Sequence, residues 1–134
     1  MSQESFYAAN EAEMLALGAS FAARFSAGDL VLLTGDLGAG KTTLVRGLLS
    51  ALGVDPDEVR SPTFSLIQQY ETNPPVLHAD LYRVANTRGI GLEDYFDSHL
   101  CLVEWPDRGE WAPPVYRIQI TWEGEGRRVE LRTE

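Results

Sequence analysis

The sequence predicts an α/β fold in which helices pack on a mixed β-sheet that is parallel at its centre and antiparallel at its C-terminal end. First, a short apolar run, a glycine-rich loop and an amphipathic helix follow one another over 30–53. Second, two further apolar runs, 76–80 and 100–104, each end in an acid. Third, apolar and polar residues alternate over 116–132, which is typical of a hairpin with one buried face.

The first half of the chain predicts a helix, a strand and a second helix. The first helix is expected over 10–25, because Asn10 can cap it and a glutamate follows three residues later. Residues 30–33 form a continuously apolar run, which favours a strand buried on both faces. The second helix is expected from Thr42 to the glycine at 53, a common helix stop.

The second half predicts strands joined by turns. The expected strands are 64–70, 76–80, 100–104 and the two arms of the 116–132 hairpin. The turn at 73–75 is too short for a crossover, so the strands on either side of it should be antiparallel. Residues 86–97 predict a loop or a weak helix, because glycines interrupt them. On the hairpin, the alternation assigns Trp122 to the buried face.

Composition narrows the possible functions. The 134 residues fit one domain, 1–134, and the net charge of −9 disfavours a free-standing nucleic-acid-binding module. No apolar run is long enough for a membrane span, and no signal peptide is recognisable. The single cysteine, Cys101, lies in an apolar run, so we expect a small core residue in a reducing, cytoplasmic protein.

The glycine-rich loop matches the phosphate-binding pattern G-x-x-x-x-G-K-[ST] with Gly35-Asp36-Leu37-Gly38-Ala39-Gly40-Lys41-Thr42. Glycines let the backbone approach phosphates, and the amides of the loop and of the following helix bind anions. Lys41, the only lysine of the chain, is expected to reach the β- and γ-phosphates. The Thr42 hydroxyl is expected to bind Mg²⁺, and Thr43 to lie near the α-phosphate. The pattern therefore predicts a P-loop NTPase-like three-layer fold that binds a nucleotide.

Acids end two of the predicted strands. Asp80 and Glu104 should lie at the carboxyl edge of the sheet, where open α/β sheets bind ligands. Each could bind Mg²⁺ or orient an attacking water, and the sequence does not decide which acid does which. His78 should share the strand face of Asp80, either as a packed, hydrogen-bonded residue or as a participant in catalysis. Trp105 could flank the nucleotide or belong to the core.

Two further features bear on the nucleotide. Thr63 follows the second helix, where P-loop switch proteins carry a threonine that senses the γ-phosphate, although Ser61-Pro62 could simply start a strand. Guanine recognition in GTPases usually uses an N-K-x-D motif. Since Lys41 is the only lysine, that motif is absent, which favours ATP over GTP.

Five segments, taken in order, resemble the TsaE family, also called YjeE, over nearly the whole chain. They are Gly-Asp-Leu-Gly-Ala-Gly-Lys-Thr-Thr (35–43), Ser-Pro-Thr-Phe (61–64), His-Ala-Asp-Leu-Tyr-Arg (78–83), Glu-Asp-Tyr-Phe (93–96) and Leu-Val-Glu-Trp-Pro (102–106). These proteins are small bacterial P-loop ATPases needed for the threonylcarbamoyladenosine modification of tRNA. The chain departs from the family at 84–91, where members continue with an acidic, leucine-rich helix and this sequence is shorter.

The resemblance implies roles for individual residues. Lys41 and its loop would hold the triphosphate, Thr42 and Glu104 would serve Mg²⁺ with Asp80 close by, and Thr63 would belong to a switch-like segment. The start of the first helix, around Asn10 and Glu11, would lie near the adenine, and Arg127 would approach the nucleotide. The protein would bind a complex of TsaD and TsaB and would contact tRNA only indirectly.

Three functions follow as hypotheses. The first is an ATPase subunit of a tRNA-modifying assembly, slow alone and stimulated by its partners. The second is a small-molecule kinase, for which the chain offers little length for an acceptor pocket and a lid. The third is a nucleotide-sensing adaptor without turnover, which the two acids at strand ends disfavour.

Overall fold

The computed structural model describes residues 2–36, 38–59 and 67–134. Within these ranges the chain forms one seven-stranded sheet and two α-helices. The strands are β1 Gln3–Ala8, β2 Leu30–Gly35, β3 Ile67–Tyr70, β4 Val76–Asp80, β5 Leu100–Glu104, β6 Tyr116–Glu123 and β7 Gly126–Thr133. The helices are α1 Glu11–Phe21 and α2 Lys41–Ala51, with short 3-10 helices at Pro56–Glu58, Leu92–Tyr95 and Pro106–Arg108. None of the helices in the described ranges is long and apolar enough to cross a membrane.

The sheet has the predicted mixed topology. Its strand order is β1-β7-β6-β2-β5-β4-β3. Strands β6, β2, β5 and β4 are parallel to their neighbours in the centre. The β6–β7 hairpin, β1 and β3 pair antiparallel towards the two edges. This confirms the α/β fold with a parallel centre and a C-terminal antiparallel hairpin.

The two faces of the sheet are covered differently. On one face, apolar side chains of β2, β6 and β7 pack against α1 and α2. On the other face, β2, β4 and β5 pack against the 3-10 helix Leu92–Tyr95 and the irregular chain around it, which forms the third layer. Cys101 is buried in this second core, where burial raises the pKa of its thiol to about 12. This confirms that it is a core residue.

The two α-helices touch through their backbones at two glycines. A Cβ built on Gly18 of α1 would lie 2.1 Å from the carbonyl oxygen of Leu44 in α2. A Cβ on Gly47 of α2 would lie 2.2 Å from the carbonyl oxygen of Leu15 in α1. Each helix therefore lacks a side chain where the other backbone passes, and this contact sets the position of α2.

The structure corrects the N-terminal predictions. Strand β1 is an element that the sequence pattern does not predict, and it pairs with β7 along its whole length. The first helix ends at Phe21 and not at residue 25. The Asn10 cap is confirmed, since its side chain accepts a hydrogen bond from the Glu13 amide. Phe25 is buried outside the helix, with its ring centroid 6.2 Å from that of Phe21.

Of the remaining predictions, one agrees with the structure, one extends beyond the described residues and one is wrong. Of residues 86–97, only Leu92–Tyr95 is helical, and it is a 3-10 helix. Strand β3 is observed over Ile67–Tyr70, while residues 64–66 of the predicted strand lie outside the described residues. The expectation that Trp122 is buried is wrong: it is 54% exposed, because it lies beyond the helices at the end of the hairpin.

The close contact of the helices predicts that Gly47→Ala destabilises the protein by about 1–3 kcal/mol, the usual cost of overpacking. The loss should appear although alanine favours helices, because the new methyl group would meet backbone and not a movable side chain. The measurement is denaturant-induced unfolding, with Ser50→Ala, an exposed site on the same helix, as the control. A Gly47→Ala protein as stable as the control would contradict the proposed backbone contact.

Candidate functional site

Parallel pairing brings the candidate residues to one edge of the sheet. In the register, Glu104 lies opposite Leu33 of β2 on one side and opposite Asp80 of β4 on the other. Strand β2 continues directly into the glycine-rich loop, so both acids lie beside it. A cavity of about 210 Å³ opens there, lined by Asp36, Gly38, Gly40, Lys41, Thr42, Thr43, Asp80, Glu104 and Trp105.

Two glycines of the loop have backbone angles that favour glycine. Gly38 and Gly40 have φ angles of 80° and 109°, in the left-handed region that favours glycine. Gly40 is the N-cap of α2 and has no side chain to bond the first amides of that helix. Unpaired amides at a helix N-terminus, together with the helix dipole, are suited to bind an anion. Leu37, which the motif also includes, lies outside the described residues.

Lys41 is buried next to the loop, with 5% of its surface exposed. Its ammonium donates to the carbonyl oxygen of Gly35 and lies 4.0 Å from the centroid of the Trp105 ring. Burial lowers the pKa of Lys41, while the charges of Glu104 and Asp80 act in the opposite direction. Within the described residues the ammonium makes no ion pair with a carboxylate, so its charge is available to a bound anion.

Glu104 is hydrogen-bonded to a buried histidine, His78. Glu104 is 2% exposed and His78 is 0% exposed, and Oε2 of Glu104 lies 2.5 Å from Nε2 of His78. The packed, hydrogen-bonded alternative for His78 is therefore the one observed. Its other ring nitrogen, Nδ1, is buried and has no hydrogen-bond partner in the described part of the chain. Leaving such an atom unpaired costs about 1–3 kcal/mol.

Asp80 and Trp105 also line the cavity. Asp80 Oδ1 accepts a hydrogen bond of 2.9 Å from the backbone amide of Tyr82, which orients the carboxylate. Trp105 has a φ angle of 59°, unusual for a bulky residue. Its ring lies 4.8 Å from that of Tyr82, between centroids, and contacts the cavity. Trp105 therefore flanks the loop and is not simply a core residue.

A second, larger cavity lies on the other side of the loop. It has a volume of about 430 Å³ and is lined by Ala8, Ala9, Asn10, Glu11, Met14, Gly38, Ala39, Gly40, Thr43, Glu125 and Arg127. Gly38, Gly40 and Thr43 line both cavities, so the two adjoin across the loop. Its outer wall includes the end of β1, which the sequence pattern does not predict. The contributions of Ala8 and Ala9 could therefore not be foreseen.

Arg127 connects the hairpin to the loop. Its Nε donates a hydrogen bond of 3.0 Å to the carbonyl oxygen of Ala39, and its guanidinium carbon lies 3.1 Å from the centroid of the Trp122 ring. The carbonyl and the next amide of a trans peptide point in opposite directions. Holding the Ala39 carbonyl therefore orients the Gly40 amide away from Arg127. The exposed Trp122 fixes the plane of the guanidinium that does this.

The residues present fit a magnesium ion. Thr42, Asp80 and Glu104, one hydroxyl and two carboxylates, line the same cavity. Among the described residues there is no group of three or more His, Cys, Asp or Glu side chains that could hold a metal by themselves. Mg²⁺ commonly binds through one or two carboxylates and completes its coordination with water and substrate phosphates. Thr63, the predicted phosphate sensor, lies outside the described residues.

Comparison with known proteins points to one family. Residues 8–130 match the family described as "Threonylcarbamoyl adenosine biosynthesis protein TsaE". A tRNA threonylcarbamoyladenosine biosynthesis protein TsaE of Bacillus subtilis is 39% identical over 123 residues, covering 90% of this chain and 77% of that protein. The protein of the same name from Haemophilus influenzae is 39% identical over 109 residues, covering 76% of this chain and 68% of its own. The crystal structure of Bacillus subtilis YdiB superposes with a TM-score of 0.79 at 31% identity, over 97% of this chain and 84% of that one.

The Arg127 contact predicts that Arg127→Ala loosens the loop. Because the Ala39 carbonyl would lose its donor, the hydrogen-bonded amides of Ala39 and Leu44, whose acceptors are the carbonyls of Asp36 and Gly40, should exchange hydrogen several-fold faster. Trp122→Ala should have a smaller effect in the same direction, since it removes only the ring beneath the guanidinium. Native-state hydrogen exchange measures this, with Arg128→Ala as control, because Arg128 pairs with Glu123 and does not contact the loop. Unchanged exchange in Arg127→Ala would show that the loop does not depend on this bond.

Proposed function

The chain belongs to the TsaE family, and from this membership and the geometry of its phosphate loop we propose that it is a Mg²⁺-dependent ATPase subunit in tRNA threonylcarbamoyladenosine biosynthesis. The observation that carries the proposal is the convergence of Lys41, Asp80 and Glu104 on the cavity beside the loop. The proposed partners are TsaD and TsaB, the contact with tRNA is indirect, and the location is the cytoplasm.

The two adjoining cavities support a bound nucleotide that crosses the loop. We assign the triphosphate to the smaller cavity, against the amides of Gly38 to Thr43 and the Lys41 ammonium. The adenosine is assigned to the larger cavity, beside Glu11 and Arg127. In this arrangement Arg127 lines the cavity of the adenosine and also donates a hydrogen bond to Ala39 in the loop.

Hydrolysis in this site is an in-line attack of water on the γ-phosphorus, which breaks its bond to the β–γ bridging oxygen and yields ADP and phosphate. Lys41 stabilises the developing charge on the phosphate oxygens. Thr42, Asp80 and Glu104 would hold Mg²⁺, which supplies further positive charge when bound. A carboxylate that does not bind the ion would orient the water.

Turnover is expected to be slow without a partner. Lys41 is the only basic residue among those that line the smaller cavity in the described part of the chain. Arg127 lies on the other side of the loop and bonds to Ala39. No described basic group is therefore positioned as an arginine finger, a contribution worth about 10³–10⁵ in rate in other P-loop enzymes. A partner can supply that group or reposition one.

Ligand removal gives the first prediction for this function. ATP with Mg²⁺ should stabilise the protein against unfolding, by about 2.7 kcal/mol at a concentration near 100 times Kd. Most of the gain should disappear when EDTA removes the ion, because Mg²⁺ would link the phosphates to Thr42, Asp80 and Glu104. GTP should stabilise less than ATP. Thermal unfolding measures all three, and equal stabilisation with and without Mg²⁺ would contradict the proposed metal site.

Glu104→Gln gives the second prediction. It should lower the ATPase rate by about 10²-fold or more, since it removes a carboxylate from the metal and water side of the site. ATP affinity without Mg²⁺ should change little. Steady-state hydrolysis is measured alone and with TsaD, TsaB and tRNA, and Glu71→Gln, an exposed acid outside the family segments, is the control. Wild-type protein that binds ATP but never hydrolyses it, with or without partners, would instead make the chain a nucleotide-dependent adaptor.

A further inference from the structure

We propose that His78 is a positioning residue for Glu104: it fixes one carboxylate oxygen so that the other faces the phosphate cavity. His78 itself does not line that cavity. The inference rests on the proposed Mg²⁺-dependent ATPase function and assigns a part of it to a buried residue beneath the site.

The sheet register places His78 under Glu104. In the parallel pair β4–β5, His78 lies opposite Leu102 and Asp80 lies opposite Glu104. Residues two apart on a strand share a face, so His78, Asp80 and Glu104 lie on the same side of the sheet. That side is the one covered by α2, since Leu102 belongs to the core that packs on the helices. His78 is therefore one step deeper in the core than the two acids.

The proposed function sets the direction of the hydrogen bond. A carboxylate that binds Mg²⁺ is deprotonated and only accepts hydrogen bonds, so in that state Nε2 of His78 donates to Oε2 of Glu104. Nδ1 has no partner among the described residues. Within the described structure, the fully buried His78 ring therefore makes a single hydrogen bond, the one with Glu104. An aliphatic side chain of similar size would avoid the cost of burying Nδ1 but would lose this contact.

Without this anchor, Glu104 would be drawn towards Lys41. Lys41 and Glu104 carry opposite charges and line the same cavity. Yet the two groups form no ion pair, because Oε2 is bonded to His78 and the ammonium is bonded to Gly35. An ion pair would occupy both the cation needed by the phosphates and the carboxylate needed by Mg²⁺. His78 thus keeps Glu104 from pairing with Lys41, so that both side chains can contact the same bound nucleotide.

The experiment compares His78→Leu with His78→Gln. Leucine removes the donor at similar volume, whereas the glutamine amide can donate from nearly the position of Nε2. The first readout is nucleotide affinity by calorimetry with and without Mg²⁺. His78→Leu should reduce the gain in ATP affinity due to Mg²⁺ by about 10–100-fold, the usual effect of losing such an outer partner of a metal ligand. Affinity without Mg²⁺ should stay within about threefold, and His78→Gln should recover most of the loss.

The second readout tests whether His78 acts through Glu104. In single-turnover hydrolysis, His78→Leu should lower the rate about 10–100-fold in the wild-type background and hardly further in a Glu104→Gln background. Equal losses in both backgrounds would overturn the proposal, as would a folded His78→Leu protein with an unchanged Mg²⁺ effect. If His78→Leu does not fold, His78→Asn replaces it. The shorter amide cannot reach Oε2, so recovery in the glutamine variant alone supports the proposal and equal behaviour of both overturns it.

The Mg²⁺ dependence of ATP affinity in the wild-type protein distinguishes failure of the proposed function from failure of the positioning role of His78. If wild-type ATP affinity does not depend on Mg²⁺, the proposed function fails and the role of His78 fails with it. If wild-type affinity does depend on Mg²⁺ while the His78 variants behave as wild type, the function stands and only the positioning role is lost.

Discussion

Parallel pairing of β5 with both β2 and β4 is the constraint on which the rest of the site depends. Neither acid is near the glycine-rich loop in sequence, and only the register brings Leu33, Glu104 and Asp80 side by side. A shift of β5 by one residue would turn Glu104 to the opposite face, because alternate residues of a strand point to opposite sides. The second core resists such a shift, since Cys101 and Val103 would have to leave it. Packing of an apolar face thus fixes the position of a charged group on the other face.

Within the described residues, the buried ammonium of the site lies near carboxylates but is not paired with them. One buried ammonium, that of Lys41, is influenced by the carboxylates of Glu104, Asp80 and Asp36 without forming an ion pair within the described residues. Other groups take the contacts instead: a carbonyl and an aromatic ring for the lysine, and the His78 ring for Glu104. Lys41 and Glu104 thus line the cavity without pairing with each other. Such a site favours a ligand that brings both anionic oxygens and a divalent cation, which is the chemistry of a magnesium nucleotide.

The sequence predicted those parts of the molecule that depend on local signals. The bounds of β4 and β5 and the start of α2 follow from short apolar runs and from the glycine pattern, which require no knowledge of distant partners. Strand β1 could not be found in this way. It is exposed at most positions, and only its pairing with β7 at the far end of the chain makes it a strand. The larger cavity was therefore only partly foreseen, through Glu11 and Arg127 by resemblance to a family.

The same distinction explains why Trp122 and His78 were misjudged or left open. Alternation predicts which way a side chain points, and Trp122 does point to the helix-covered face. It cannot tell where along the strand that cover ends, and the helices end before Trp122, so the ring supports Arg127 instead of a core. For His78, alternation gives the correct face of the sheet. It does not tell how deeply the side chain is buried, which depends on how the helices cover that face. Trp122 contacts Arg127 and His78 contacts Glu104, so each bears on the site through another residue. Such indirect roles depend on contacts between distant segments, which are visible only once the chain is folded.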